Sequence, residues 1–343
     1  PMAPTFIAFA SALVLALALT PLARRIAFRT GVIDRPDRGL KRHRAPVPYL
    51  GGVAIFLAVI VTVVAVKLAD GEGPLALRIR GVVGLLAGAG IVFLLGLWDD
   101  VSPLRPKVKL AIQAVAALVP ISLGVHIKFV DNPWVAMPLT LVWMVGITNA
   151  FNLLDIMDGL AAGVACVASL WFWVISAQHG RFNDALTAAA LAGATLGFLN
   201  YNRAPARIFM GDAGALFLGF LLSAVAIGQG YSMNTNLGVI APLLVLGVPI
   251  FETLFVMAVR RQQGKPVMMG SPDHVPLRLV KIGYTRERAV VVLWVVGALL
   301  GALAWFVVQA NWERALLVSG VVVMAAMSAA VRLASVRMEE TRR

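Results

Sequence analysis

Apolar stretches long enough to cross a bilayer recur along almost the whole chain, and no other feature limits its fold as much. Eleven runs lie at about 4–23, 50–69, 81–98, 108–126, 134–148, 159–177, 185–200, 213–230, 237–258, 288–308 and 314–333. Each approaches the roughly 20 residues that a helix needs to span the hydrocarbon core. In lipid, only closed barrels and helices satisfy every backbone polar group, and apolar runs of this length are helical. The expected fold is therefore all-α, a polytopic helical bundle of about eleven transmembrane helices, with ten as the lower alternative. The gaps between runs are too short for a separate soluble domain of ordinary size, so one membrane domain over 1–343 is expected.

Composition agrees with this reading, since 60% of the 343 residues are hydrophobic and 14% are charged. The net charge of +13 would suit a nucleic-acid binder, but its placement points elsewhere. With the runs taken as spans, 24 of the 30 Lys and Arg fall on one side, the positive-inside pattern. The N-terminus is then outside and the C-terminus cytoplasmic, with cytoplasmic loops near 24–49, 99–107, 149–158, 201–212 and 259–287. Arg24, Arg25 and Arg29 follow the first apolar run instead of preceding it, so that run reads as a retained helix. The lone Cys166 excludes an intramolecular disulfide and suits helix packing.

Carboxylates give the first sign of chemistry. Asp99 and Asp100 (GLWDD), Asp155 and Asp158 (NAFNLLDIMDGLAAG) and Asp212 (FMGDAGALFLGF) all abut apolar runs on the basic side. A carboxylate at mid-bilayer costs about 3 kcal/mol even on the lenient insertion scale, so these five must face water, a cation or one another. Any one of them could simply mark a helix end; three Asp-bearing loops on one face imply a shared site. Converging carboxylates need protons or a cation, and an all-oxygen donor set suits Mg²⁺, or Mn²⁺, better than Zn²⁺. Gly211 and Gly214 bracket Asp212 and would let backbone approach closely, although small residues also serve helix packing.

Basic residues stand beside these acids. KRHRAPVPYLGG (41–52) carries Lys41 and His43, LRPKVKL carries Lys107 and Lys109, and GSPDHVPLRLVKIGYT carries Asp273, His274 and Arg278. Singly they are an ordinary cytoplasmic fringe; as a set they form a funnel for an anionic substrate. The last segment is too polar to span and is expected to be a loop or a short amphipathic helix. Glu252, in the run VPIFETL, takes no role from the sequence.

These segments, in this order, resemble the polyprenyl-phosphate N-acetylhexosamine-1-phosphate transferase family, with its MraY, WecA and TagO types. The motifs are KRHRAPVPYLGG, GLWDDVSPLRPKVKL, NAFNLLDIMDGLAAG, FMGDAGALFLGF and the His274 segment. The resemblance covers most of the chain and is nearer the WecA-like branch. It implies transfer of a sugar 1-phosphate from a UDP-sugar to polyprenyl phosphate at the cytoplasmic face of the bacterial inner membrane, with Mg²⁺ and release of UMP. On matching positions it implies Asp212, Asp155 and Asn152 at the metal, and Asp99, Asp100, Asp212 and His274 in catalysis. Lys41, His43, Lys109, Asn149, Asn152, Asp158, Phe209 and Arg278 would then contact substrates, Phe209 by stacking on uracil. The partners implied are UDP-N-acetylhexosamine, polyprenyl phosphate and the lipid bilayer, without nucleic acid; a homodimer is a permitted assembly.

The His274 segment departs from the pattern. Many members read H-x-H-H, whereas here Pro276 and Leu277 follow, so Arg278 is expected to supply the missing phosphate contact, guanidinium being a bidentate phosphate ligand. N-acetylglucosamine is the expected sugar, and an MraY-type phospho-MurNAc-pentapeptide transferase is the alternative. A secondary transporter is the alternative from another class, predicting midplane carboxylates and repeat symmetry.

Overall fold

A computed structural model of the protein describes residues 2–34, 46–69, 75–228, 239–266 and 272–338. Contacts divide the chain into two compact units, Pro1–Gly230 and Tyr231–Arg343. The first holds α1 (Met2–Thr30), the short antiparallel pair β1 (Ile33–Asp34) and β2 (Val47–Pro48), α2 (Gly51–Ala69), α3 (Leu75–Val101), α4 (Pro106–Ser122), α5 (Pro133–Leu154), α6 (Leu160–Gln178), α7 (Phe182–Asn202) and α8 (Gly211–Gly228). The second holds α9 (Ala241–Val245), α10 (Gly247–Gln262), α11 (Val275–Lys281), α12 (Arg286–Gln309) and α13 (Trp312–Ala334). The protein is an all-α polytopic membrane bundle, as expected.

Among the described residues, nine helices are long and apolar enough to cross a membrane. The other two expected spans form differently. The run 108–126 becomes α4, which has only 17 residues, about 25 Å of helix. The run 237–258 is broken at Leu246 (φ −93°, ψ 17°) into α9 and α10. Pro249 explains the break: its ring would collide with the carbonyl of Val245 in a continuous helix, whereas it is tolerated in the first turn of a new one.

Helix α8 is the centre of the first unit. Its sequence is apolar or small nearly all round, which suits a helix enclosed by protein rather than lipid, and all but a few of its residues are buried. It packs against α2, α3, α5, α6 and α7. Phe217 of α8 meets Phe56 of α2 edge-on at 5.2 Å, and Phe56 stacks on Phe93 of α3 at 4.0 Å. At the other extreme, α13 buries only Ala315, and its Leu317, Met324, Met327 and Val331 are exposed, as a lipid-facing surface requires.

Between these extremes, small residues set how closely helices approach. One face of α1 buries Thr5, Ala8, Ala12, Ala16 and Thr20, a small-residue stripe of the kind that lets membrane helices meet backbone to backbone. Its partner α7 supplies Gly193 and Gly197, where an added Cβ would strike the Phe9 and Leu13 carbonyls of α1. The hydroxyls of Thr20, Thr148, Ser176 and Thr195 bond back to the carbonyl four residues earlier, so no separate partner is needed away from water.

This packing makes a direct forecast. Gly193→Ala should destabilise the detergent-solubilised protein by about 1–3 kcal/mol through overpacking, read as a lowered unfolding temperature. Gly146→Ala, where a Cβ meets nothing within 4 Å, should leave that temperature unchanged.

Candidate active site

The carboxylates converge at one end of the first unit. Helix α3 ends with Asp99 and Asp100, α4 opens on a proline one turn before Lys109, and α8 opens on Gly211 and Asp212. Lys109 joins them: its Nζ lies 2.8 Å from Asp99 Oδ2 and 2.5 Å from Asp212 Oδ2. The other Asp99 oxygen accepts the Leu104 amide at 2.7 Å, tying down the turn between α3 and α4. Asp99 is therefore engaged at both oxygens. Asp212 is the open member of the trio, with 31% of its side chain exposed against 13% for Asp99 and 15% for Lys109.

Asp100 does something different from its neighbour. Its Oδ1 accepts the Asp212 amide at 2.7 Å and its Oδ2 the Ala213 amide at 3.1 Å. These are N-terminal amides of α8, which have no partner inside their own helix. Asp100 thus caps α8 from another helix and fixes the backbone that carries Asp212. Gly211 adopts φ +71°, and a Cβ there would meet the Asp100 carboxylate and the Tyr49 carbonyl. That contact gives the glycine before Asp212 its reason.

The remaining segments close around this core. Pro48 accepts the Phe209 amide (2.8 Å), and the Gly51 and Gly52 amides donate to the Phe209 and Met210 carbonyls (3.0 and 2.8 Å). Side chains at Gly51 and Gly52 would collide with Phe198, Phe209 and Gly214, so the glycines of KRHRAPVPYLGG let α2 dock at the start of α8. The half-buried Phe209 ring lies 6.0 Å from Tyr49, tilted by 50°. Burial and a hydrogen bond to Asp34 raise the Tyr49 phenol well above its ordinary range, and Asp100 and Asp212 add to the shift. Lys41 and His43, expected in this region, lie outside the described residues.

From α5 come Asn149, Asn152 and, at its C-cap, Asp155. The Asn152 side chain is within hydrogen-bonding reach of Asp212. Withdrawal from water, with the charges of Asp212, Asp100 and Asp158, pushes Asp155 up to about 7. Asn149 donates to Gln113 Oε1 (2.5 Å) and to the Val145 carbonyl (2.8 Å), while Gln113 Nε2 donates back at 3.4 Å. Asn149 is thus held inside the protein by buried Gln113, a residue that sequence reasoning missed. Its signal was its place one turn after Lys109 on α4. Asp158 Oδ2 accepts the Ala206 amide (2.9 Å), and Asn202 links the Gly159 amide to the Ile208 carbonyl (both 3.0 Å). Together they fasten the loop that delivers Phe209 and Asp212.

Among the described residues, no three His, Cys, Asp or Glu side chains are spaced to hold a metal ion by themselves. The side-chain oxygens of Asp212, Asp155 and Asn152 are donors of the kind Mg²⁺ takes when substrate phosphates and water complete its shell, and these residues would be the ones to hold it. The raised Asp155 marks negative charge that such a cation would relieve.

In the second unit, His274 is the N-cap residue of α11 and is buried. Its Nδ1 lies 2.7 Å from Glu252 Oε1, and the Val275 amide donates to Glu252 Oε2 at 3.1 Å. The expectation for Arg278 is corrected here. Arg278 is 1% exposed; its Nε and Nη2 donate to the Asp273 carbonyl and carboxylate (3.1 and 3.0 Å), and its Nη1 to the Leu333 and Val336 carbonyls at the end of α13 (2.8 and 2.6 Å). The guanidinium also lies over the Phe255 ring at 5.3 Å. Four of its five N–H groups donate to protein oxygens and the side chain is buried, so it serves as an anchor between α11 and the end of α13.

Fold and site together define a multi-pass membrane protein with a lysine-bridged carboxylate centre at the end of its core helix. The family model for glycosyl transferase family 4 matches residues 82–229. The chain is 35% identical over 300 residues to a Bacillus subtilis (strain 168) protein named as a probable undecaprenyl-phosphate N-acetylglucosaminyl 1-phosphate transferase, spanning 85% of this chain and 81% of that one. It is 31% identical to a phospho-N-acetylmuramoyl-pentapeptide-transferase of Shouchella clausii (88% and 95% covered), and 30% identical to a decaprenyl-phosphate N-acetylglucosaminephosphotransferase of Mycolicibacterium smegmatis (80% and 76% covered). The chain belongs to glycosyl transferase family 4.

If Asp100 is the cap of α8, Asp100→Ala should lower stability by about 1–2 kcal/mol, measured as thermal unfolding in detergent. Asp212→Asn, which leaves the capped amides in place, should shift the same transition less. Equal stability of Asp100→Ala and the parent would refute the capping role.

Proposed function

We propose that the protein transfers an N-acetylhexosamine 1-phosphate, N-acetylglucosamine 1-phosphate first among them, from a UDP-sugar to undecaprenyl or a related polyprenyl phosphate, releasing UMP. The observation that carries the reading is Lys109, held between Asp99 and the more open Asp212 beside Asn152 and Asp155. The names of the Bacillus and Mycolicibacterium relatives favour N-acetylglucosamine as the sugar. The Shouchella relative keeps the phospho-MurNAc-pentapeptide reaction as the second reading. The positive-inside charge pattern supports a cytoplasmic site in a bacterial plasma membrane.

In this reaction an oxygen of the lipid phosphate attacks the sugar-bearing phosphorus, and the bond from that phosphorus to the UMP oxygen breaks. A phosphate monoester has a second pKa near 6, so the acceptor is already mostly a dianion at neutral pH and needs no strong base. The chain's task is positioning and charge balance. Lys109 can turn from Asp212 to the incoming phosphate while Asp99 holds its ammonium in place. Because both Asp99 oxygens are engaged, it is a poor candidate for a covalent phosphoryl carrier, and direct attack is the favoured route. Phe209 offers a half-buried ring for the base, on a loop fastened by Asp158 and Asn202. Asp212, Asp155 and Asn152 would hold Mg²⁺ or Mn²⁺, which when bound neutralises charge on the diphosphate.

The decisive assay uses purified protein in detergent with undecaprenyl phosphate, Mg²⁺ and a panel of UDP-sugars, scoring UMP. UMP release with one N-acetylhexosamine donor, abolished by EDTA and in folded Asp212→Ala, is the expected outcome. Release only with UDP-MurNAc-pentapeptide would select the second reading. No release with any donor would overturn the transferase and favour a transporter.

Metal binding should also follow pH. Asp155, held near 7, binds a proton in place of the cation below that value, so Mg²⁺ affinity should fall as pH drops from 8 to 6. Mg²⁺-dependent thermal protection measures this, and Asp155→Asn should flatten the dependence.

A further inference from the structure

We infer that Gln113 and Asn149 are a positioning pair: Asn149 works through the protein instead of as a substrate ligand, and its bond to Gln113 sets the gap between α4 and α5 across which Lys109 and Asn152 meet Asp212. The inference rests on the proposed function, in which Lys109 serves the phosphate and Asn152 the metal. On α4, Gln113 follows Lys109 by four residues; on α5, Asn149 precedes Asn152 by three. Both spacings put the two side chains on one helix face. Because α4 begins at the site and α5 ends there, the pair lies one turn further into the bundle than the residues it supports.

The donors of Asn149 decide its role. An asparagine amide carries two N–H groups. One donates to Gln113 Oε1 (2.5 Å) and the other to the Val145 carbonyl of its own helix (2.8 Å), while Asn149 Oδ1 accepts from Gln113 Nε2 in a longer contact (3.4 Å). No N–H is left for an anionic substrate. Gln113 is 1% exposed, and withdrawing an amide from water costs free energy that a leucine would not. What the amides add is register: slipping either helix by a turn would leave both unpaired in a medium without water.

The rest of the α4–α5 frame is tied at its other end. There the chain passes from α4 to α5, and the Ile127 amide donates to Thr140 Oγ1 at 2.9 Å. Towards the site, Gln113–Asn149 is the side-chain hydrogen-bonded link between the two helices among the described residues. At the open end of this frame, Lys109 Nζ lies 2.5 Å from Asp212 Oδ2, and Asn152 reaches the same carboxylate from α5. A wider gap would draw one of them away from Asp212.

The tests use the full-length protein in detergent. Gln113→Leu removes the bond at similar bulk, and Gln113→Asn, which shortens the reach, is a milder second variant. In both, thermal protection by Mg²⁺ should require a higher Mg²⁺ concentration, and kcat for UMP release should fall about 10- to 100-fold. A purely structural role would shrink the folded fraction and lower the rate, yet leave the Mg²⁺ midpoint at the parent value. Exchanging the amides, Gln113→Asn with Asn149→Gln, keeps their combined length and should recover most of what Gln113→Asn loses. Gln113→Leu combined with Asn149→Leu should be no worse, in unfolding temperature or in kcat/KM, than the more damaged single variant.

A parental Mg²⁺ midpoint and kcat in folded Gln113→Leu or Gln113→Asn would overturn the inference. So would fully additive losses in the double leucine variant, or an exchanged pair no better than Gln113→Asn. Absence of UMP release from the parent would instead overturn the proposed reaction, while the Mg²⁺ midpoints and the additivity of unfolding temperatures still decide the role of the pair.

Discussion

An ammonium held between two carboxylates from different helices is the interaction on which the first unit's site depends. Asp99, Asp100, Asp155 and Asp212 converge at the end of α8, where the surroundings are only partly solvated and like charges repel strongly. Lys109 neutralises one pair directly, at 2.8 and 2.5 Å. Asp100 is stabilised in another way, by two backbone amides at the positive end of a helix. Asp155 receives neither a lysine nor an amide in the hydrogen bonds described, and burial with neighbouring charge weakens its acidity to about 7. The excess negative charge is concentrated where a divalent cation and a phosphate would enter.

That electrostatic arrangement requires an unusually close approach of three helices, and glycine supplies it. Gly96 of α3 lies against the Asp212–Ala213 backbone, Gly52 of α2 against Gly214, and Gly211 against Asp100. A methyl group at Gly96 or Gly211 would press on Asp212 or Asp100, and one at Gly52 on the Gly214 backbone, so packing and chemistry cannot be varied independently here. The buried, rigid α8 then serves as the frame on which Asp212 is set. The same glycines had an alternative reading as ordinary membrane-helix packing, and the structure shows that close packing is itself what brings the charges together.

The sequence was most informative where periodicity or local composition dictates the outcome. Apolar length marked eleven runs, of which nine form helices long enough to span among the described residues, and the Asp-bearing motifs marked Asp99, Asp212 and their lysine. What it could not reveal depends on contacts between distant segments. The α8 amides bonded by Asp100 lie 112 and 113 residues away, and the Asn149 partner Gln113 is 36 residues away on another helix. Glu252 looked like an isolated intramembrane acid because its partners are 22 and 23 residues downstream. Hydropathy also overlooks a break such as Leu246, since α9 and α10 are apolar on both sides of it.

Arg278 illustrates the same limit with the opposite sign. Its placement beside His274 suggested a phosphate ligand, because a guanidinium matches phosphate geometry well. The same planar fork matches the uncapped carbonyls at a helix C-terminus, where the dipole also favours a cation. The end of α13, 55 to 58 residues away, captures it, and Asp273 takes two more donors. A buried guanidinium is tolerable only when well hydrogen-bonded, and releasing it to meet a substrate would break its contacts with the helix end and with Asp273. The departure from the H-x-H-H pattern therefore marks a fixed anchor beside His274, whose ring is itself held by Glu252.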